Sequence, residues 1–189
     1  MPSAGGLFNQ LVAANNVRCG PGTGISHPRP GDLVLIRGTS WASKIILFGE
    51  RIRFRTPEDR PFAHWSHVAL VTTSAGHLLE VGPAGVVVCS IERYRNHEYH
   101  YVHLDLSDLA RSNAVNFAYS CLRQKYGTFS FLLLVLSVVL RDRFNVPDRG
   151  QQGCVVTIVR ALQRAGVTFE QRPTDMTPAD VAKRFGVRP

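Results

Sequence analysis

The sequence predicts a small α+β protein, with strands gathered in its first half and helices in its second. Three observations carry that expectation. Short β-branched runs bounded by Gly- and Pro-containing turns follow one another between residues 67 and 104. After Ser107 the apolar spacing changes to a helical one. No repeat divides the 189 residues, a length that supports one domain with a substantial buried core.

Taken in order, residues 1–29 read as an arm outside the domain, with a short helix over 7–14 and then the Gly/Pro-rich "CGPGTGISHPRP". The domain itself, 30–189, opens with a strand in "GDLVLIRG". "WASKIILFGERIRF" (41–54) has the pattern of an amphipathic helix, and "RTPEDRPFA" follows it as a loop. Strands over 67–72, 77–81, 85–89 and 99–104 are separated by "TSAG", "GPAG" and "ERYRNHE", which suggests an antiparallel meander. "SDLARSNAVNFAYSCLRQKYG" carries an N-cap candidate, then Ala110, Ala114, Phe117, Ala118 and Cys121 at helical spacing, with Gly127 as the C-cap. An apolar helix over 129–140 and the loop "RDRFNVPDRGQQG" come next. A helix starts at Cys154 and stops at Gly166, and a last one begins with Thr177 as N-cap and Pro178 at its first position.

Hydrophobic residues at 44% and charged residues at 19% are ordinary for a soluble globular protein. The 22 Lys and Arg against 14 Asp and Glu give a net charge of +8, which attracts the chain weakly to anionic surfaces. The basic residues are scattered Arg rather than a dense block, so no specific nucleic-acid recognition is expected. Cys19, Cys89, Cys121 and Cys154 are widely spaced, with no CxxC pair, as suits a reducing compartment. The first twenty residues lack a basic stretch followed by an apolar one, so no signal peptide is read and the cytoplasm is the expected location, with delivery outside the cell by another route as the alternative. "FLLLVLSVVL" (131–140) is too short to span a bilayer.

Three residues stand out as chemistry. Cys154 opens an apolar helix, where unpaired backbone N–H groups and the helix dipole favour thiolate over thiol. The same N–H groups can hold an oxyanion. Taken alone, Cys154 reads better as a small buried hydrophobe than as a nucleophile. His67 heads the run "HVALV", and Glu80 is a lone carboxylate within "LLEVG". They share a face of one hairpin only if opposite partners sum to an odd number; a turn centred near Thr73 and Ser74 sets them directly across, and a one-residue slip separates them. The sequence leaves that register open. If they meet, the carboxylate can hold one imidazole nitrogen while the other takes a proton from the thiol. "HEYHYVH" holds His97, His100 and His103, but on a strand His100 points away from the other two, so a surface strand is the better reading than a metal site. Asp32, after Gly31, is expected to shape a turn.

"GDLVLI", "SHVALV", "LLEVGPAGV", "YG" and "GCVVTIVRALQRAG", in this order from about residue 30 to 178, resemble the circularly permuted branch of the NlpC/P60 papain-like superfamily, the YiiX/YebB-like cysteine hydrolases. The layout is also similar to that of lecithin:retinol acyltransferase-like proteins. The resemblance implies a small barrel-like antiparallel sheet packed against helices, with Cys154 as nucleophile, His67 as base and Glu80 as its orienter. Tyr126 falls where such proteins often carry a tyrosine, which implies a supporting or oxyanion role. Two positions depart from the family pattern: Val155 stands where Ser usually follows the cysteine, and Ala69 where Gly is usual. The implied activity is a thiol hydrolase acting through an acyl-enzyme on amide bonds of cell-wall-type peptides, with no metal or organic cofactor required. Lipid acyl hydrolysis or transfer by the same fold, and a catalytically idle binding module, are the alternatives.

Overall fold

The computed structural model describes residues 14–82, 85–122 and 154–189. Tyr126, the apolar helix over 129–140, the loop before Cys154 and nearly all of the expected 7–14 helix lie outside them.

Six strands form one antiparallel sheet: β1 (Ala14–Cys19), β2 (Leu33–Arg37), β3 (His67–Val71), β4 (His77–Gly82), β5 (Gly85–Ser90) and β6 (Glu98–Leu104). Their order is β1-β6-β2-β3-β4-β5, so the sheet is open, with β1 and β5 at its edges, and the expected barrel-like closure is not formed. β3, β4 and β5 make the expected consecutive hairpins, but the meander stops there. β6 crosses back to insert between β1 and β2. The reason lies in β2. Leu33, Val34, Leu35 and Ile36 are all fully buried, so both faces of the strand are dry. A strand without water on either face needs a hydrogen-bonding neighbour along both edges. β1 is a strand the sequence does not announce: "ANNVRC" has little apolar alternation, and its pairing with the outer edge of β6 holds it.

Four helices accompany the sheet among the described residues. α1 (Trp41–Arg53) starts where Ser40 accepts from the Ser43 backbone N–H at 3.1 Å. α2 (Asp108–Ser120) is capped in the same way by Ser107. It ends short of Gly127, because the N–H groups of Cys121 and Leu122 turn back to the Ala118 and Tyr119 carbonyls and tighten the last turn. α3 (Cys154–Arg164) stops ahead of Gly166, whose φ of 87° few other residues adopt. α4 (Pro178–Arg184) opens with a reciprocal capping box between Thr177 and Asp180.

The sheet carries apolar clusters on both faces. Leu33, Leu35, Val68, Leu70, Leu79, Val81, Val102 and Leu104 pack with Ala114 and Ala118 of α2, Ile158, Val159 and Leu162 of α3, and Val181 of α4. On the other face Val34, Ile36, Ala69, Val71, Leu78, Tyr99 and Tyr101 form a smaller cluster with Cys19 and Ile91.

Three buried residues, Asp32, Glu50 and Trp65, pin the periphery through polar contacts. Asp32, fully buried, accepts from Arg111 Nη1 at 2.7 Å, His103 Nδ1 at 2.9 Å, the Leu104 N–H at 3.0 Å and the Tyr101 hydroxyl. It therefore ties α2 to two strands rather than merely shaping a turn. Gly31 sits beside it with φ of 89°, and a Cβ there would lie 3.2 Å from Arg111. Glu50 of α1, also fully buried, accepts from Thr177 Oγ1 at 3.0 Å and from the Ala179 N–H at 3.3 Å. Trp65 Nε1 donates to the Val187 carbonyl at 3.1 Å and fastens the C-terminal segment to the core.

Candidate active site

Register decides whether His67 and Glu80 can meet. Leu70 faces Leu79 and Val71 faces Leu78, so opposite partners sum to an odd number. The turn is centred one residue later than direct apposition of His67 and Glu80 requires. Extended along the strands, this register sets Glu80 across from Ala69, with His67 diagonal to it on the same face. Side chains of this length bridge a diagonal pair. The turn is fixed by Gly76, whose φ of 78° lets its N–H reach the Thr73 carbonyl, and by the Thr72 N–H bonded to His77 O at 2.7 Å.

The contact is made. His67 Nε2 lies 3.0 Å from Glu80 Oε2. Two residues that the sequence did not single out complete the shell. The Tyr94 hydroxyl donates to the same Oε2, and Arg93 Nη1 lies 3.3 Å from Oε1. Both come from a short 3-10 turn, Ile91–Tyr94, that follows β5. Within "IERYRNHE" nothing distinguishes them from ordinary loop residues, and only the hairpin geometry brings the turn over Glu80. The carboxylate is buried rather than solvent-facing.

The electrostatics follow from these contacts. Burial by itself would raise the Glu80 carboxyl. The hydrogen bond and charge of His67, the Tyr94 hydroxyl and the Arg93 guanidinium outweigh burial and bring it down to about 2. Glu80 is therefore an acceptor only, so His67 Nε2 carries the proton in this contact. In the neutral ring, Nδ1 is then the basic nitrogen. Burial and the neighbouring carboxylate push the Tyr94 hydroxyl well above its usual range, which keeps it a neutral donor.

Cys89 also belongs to this neighbourhood. It lies across from Leu78 on the face that carries Glu80. Burial, and then the Glu80 carboxylate, push its thiol up to about 11, which makes it a poor nucleophile. Burial raises the Cys19 thiol as well, against a lowering contribution from Tyr99.

Cys154 is the first residue of α3, as expected, and its side chain is outside the described atoms. The body of α3 packs through Val155, Ile158, Val159 and Leu162 on the larger cluster. His67 and Glu80 alternate with the residues of that cluster and belong to the opposite face, with Ala69 and Leu78.

The histidines of "HEYHYVH" divide as the strand requires, but β6 is an interior strand, not a surface one. His103 bonds Asp32 on one face, while His100 is buried on the other, with its ring 4.9 Å from that of Trp65. Among the described residues, neither His100 nitrogen has a hydrogen-bond partner.

No protein-family model matches the chain, and no curated protein matches it.

Proposed function

We propose that the chain is a thiol-dependent hydrolase of the permuted papain-like type that cleaves an amide or peptide bond, in cell-wall-type peptides, through an acyl-enzyme. In this reading the Cys154 sulfur attacks the carbonyl carbon while His67 Nδ1 takes the thiol proton. The N–H groups at the start of α3 receive the negative charge that develops on the carbonyl oxygen. The tetrahedral species collapses as the imidazolium returns its proton to the departing amine, leaving a thioester on Cys154. Water, deprotonated by the same imidazole, then releases the acid and restores the thiol. Glu80 orients the ring and stabilises its charged form, and Tyr94 and Arg93 keep Glu80 ionised and in place. Tyr126 is assigned a supporting or oxyanion role, on the resemblance alone.

The observation that carries the reading is the buried carboxylate hydrogen-bonded to an imidazole nitrogen, assembled from two strands at the positions the resemblance implies. Such a pair, with the proton on Nε2 and basicity on Nδ1, suits a general base.

A second reading, a binding module on the same fold without catalysis, is favoured by one observation. The body of α3 and the His67–Glu80 pair use opposite faces of the sheet. For the thiol to reach the imidazole, the first turn of α3 must come round the sheet beside the His67 end of β3.

Alkylation separates the two readings. Under limiting iodoacetamide near neutral pH, a relay of this kind labels Cys154 well ahead of Cys19, Cys89 and Cys121, and His67→Ala slows that labelling by about tenfold. Equal, slow labelling of all four, unmoved by His67→Ala, identifies the binding module. Incubation with muropeptide and phospholipid mixtures, read by mass spectrometry, then assigns the bond. Peptide turnover lost in Cys154→Ala supports the amide reading, and phospholipid turnover alone replaces it with the lipid one.

A further inference from the structure

The outward face of α1 is apolar where a surface helix is ordinarily polar. Trp41 and Phe48 are 62% and 59% exposed, far more than side chains of that size usually are. With the half-buried Ile45 and Ile52 they follow a 4-3-4 spacing, which aligns all four in one stripe along the helix. The inward face is independently satisfied: Leu47 and Phe54 are buried, and Glu50 is held by α4. Among the described residues, the stripe belongs to neither core cluster.

Charge identifies what it meets. Lys44 and Arg51 are exposed and flank the stripe along one side, and the exposed Arg55 follows the helix with its Nε donating to the Ile52 carbonyl. The only acid between residues 41 and 55 is Glu50, buried on the opposite side of the helix, so the exposed face of α1 bears positive charge alone. A second copy of the same helix would bring these cations against their own kind. An anionic bilayer fits all of the features together. Trp and Phe insert at the headgroup level, while Lys and Arg lay their stems along the apolar stripe and their heads on lipid phosphates. The 13-residue helix, about 20 Å long, is long enough to lie in that plane but too short to cross it.

We propose that α1 is an interfacial membrane-binding helix, which seats the protein on anionic lipid surfaces through Trp41, Ile45, Phe48 and Ile52 with Lys44, Arg51 and Arg55 on the headgroups. The net charge of +8 assists the approach. The proposal stands apart from the catalytic reading, since it uses neither Cys154 nor His67. It also locates on one helix an attraction that composition could only assign to the chain as a whole.

The full chain carries its own reporter. Of its two tryptophans, Trp41 is exposed and Trp65 fully buried, so a lipid-induced change in emission reports Trp41. Vesicles of phosphatidylcholine with phosphatidylglycerol should shift the emission to shorter wavelength and bring the protein down on sedimentation, and vesicles of phosphatidylcholine alone should do so far less. Trp41→Ser with Phe48→Ser should weaken sedimentation by about tenfold or more. Lys44→Gln with Arg51→Gln should weaken it by roughly fivefold per charge and flatten its salt dependence. If the first pair lowers the melting temperature, the charge pair decides alone. Absence of sedimentation with anionic vesicles, or binding unmoved by the charge pair, overturns the proposal. So does a concentration-dependent dimer that Trp41→Ser abolishes, which assigns the stripe to a second copy. Binding of an acidic amphipathic peptide in preference to vesicles overturns it in favour of a protein partner.

Discussion

Glu80 shows what one buried carboxylate does when three donors converge on it. Its folded-state value of about 2 lies below the ordinary 4.5, so its contribution to stability is complete above the ordinary value and is lost as pH falls through the folded one. Glu80→Gln keeps an acceptor for His67 but removes the charge that favours the imidazolium. On the proposed mechanism, turnover should fall by about 100-fold or more while the fold survives, as steady-state kinetics and circular dichroism would register together. Asp32 is the structural counterpart. Asp32→Ala leaves Arg111 buried without its carboxylate and should destabilise the protein by about 3–5 kcal/mol, measured by urea unfolding. His67 and Glu80 are legible in the sequence because a polar residue in an apolar strand is conspicuous. Tyr94 and Arg93 are not, because loop residues carry no periodicity and their partner lies across a hairpin. The register of that hairpin is equally silent, since "TSAG" allows turns centred on adjacent residues.

At the scale of elements, helix starts are the features the sequence states most directly. Ser40, Ser107 and Thr177 each cap the helix that follows. A cap depends on its own residue and the next three, so local sequence is enough. Docking between elements is not local, and Glu50 illustrates this. Within "LFGERIRF" it passes for a surface residue of an amphipathic helix, yet it anchors α1 to α4. Burial raises its carboxyl to about 7, with Asp180 adding to the rise and the Thr177 and Ala179 hydrogen bonds and Arg53 opposing it. The ordinary value is 4.5, so this group favours the folded state fully below that and loses its contribution as pH rises through about 7. Thermal melts should decline from about pH 4.5 to about pH 7 and level off above that, and Glu50→Gln, which keeps an acceptor without a charge, should flatten the decline. A slope unchanged by the substitution would place the dependence elsewhere in the chain.

Over the whole molecule, fold class and the positions of β2 to β6 are legible, whereas β1 and the strand order are not. Each strand but β1 betrays itself through β-branched content and flanking turns, but only burial on both faces of β2 explains why β6 returns to it. The sequence hints at that burial in the unbroken run "LVLI" without naming the partner. The same insertion has a consequence for the order of assembly. The β3-β4-β5 hairpins close over short loops and can form as soon as their residues are available. β2 is made earlier yet receives its second neighbour only from β6, more than half the chain's length into synthesis. During translation its free edge stays open to any passing strand, so the β2–β6 closure is where misassembly and chaperone dependence should concentrate.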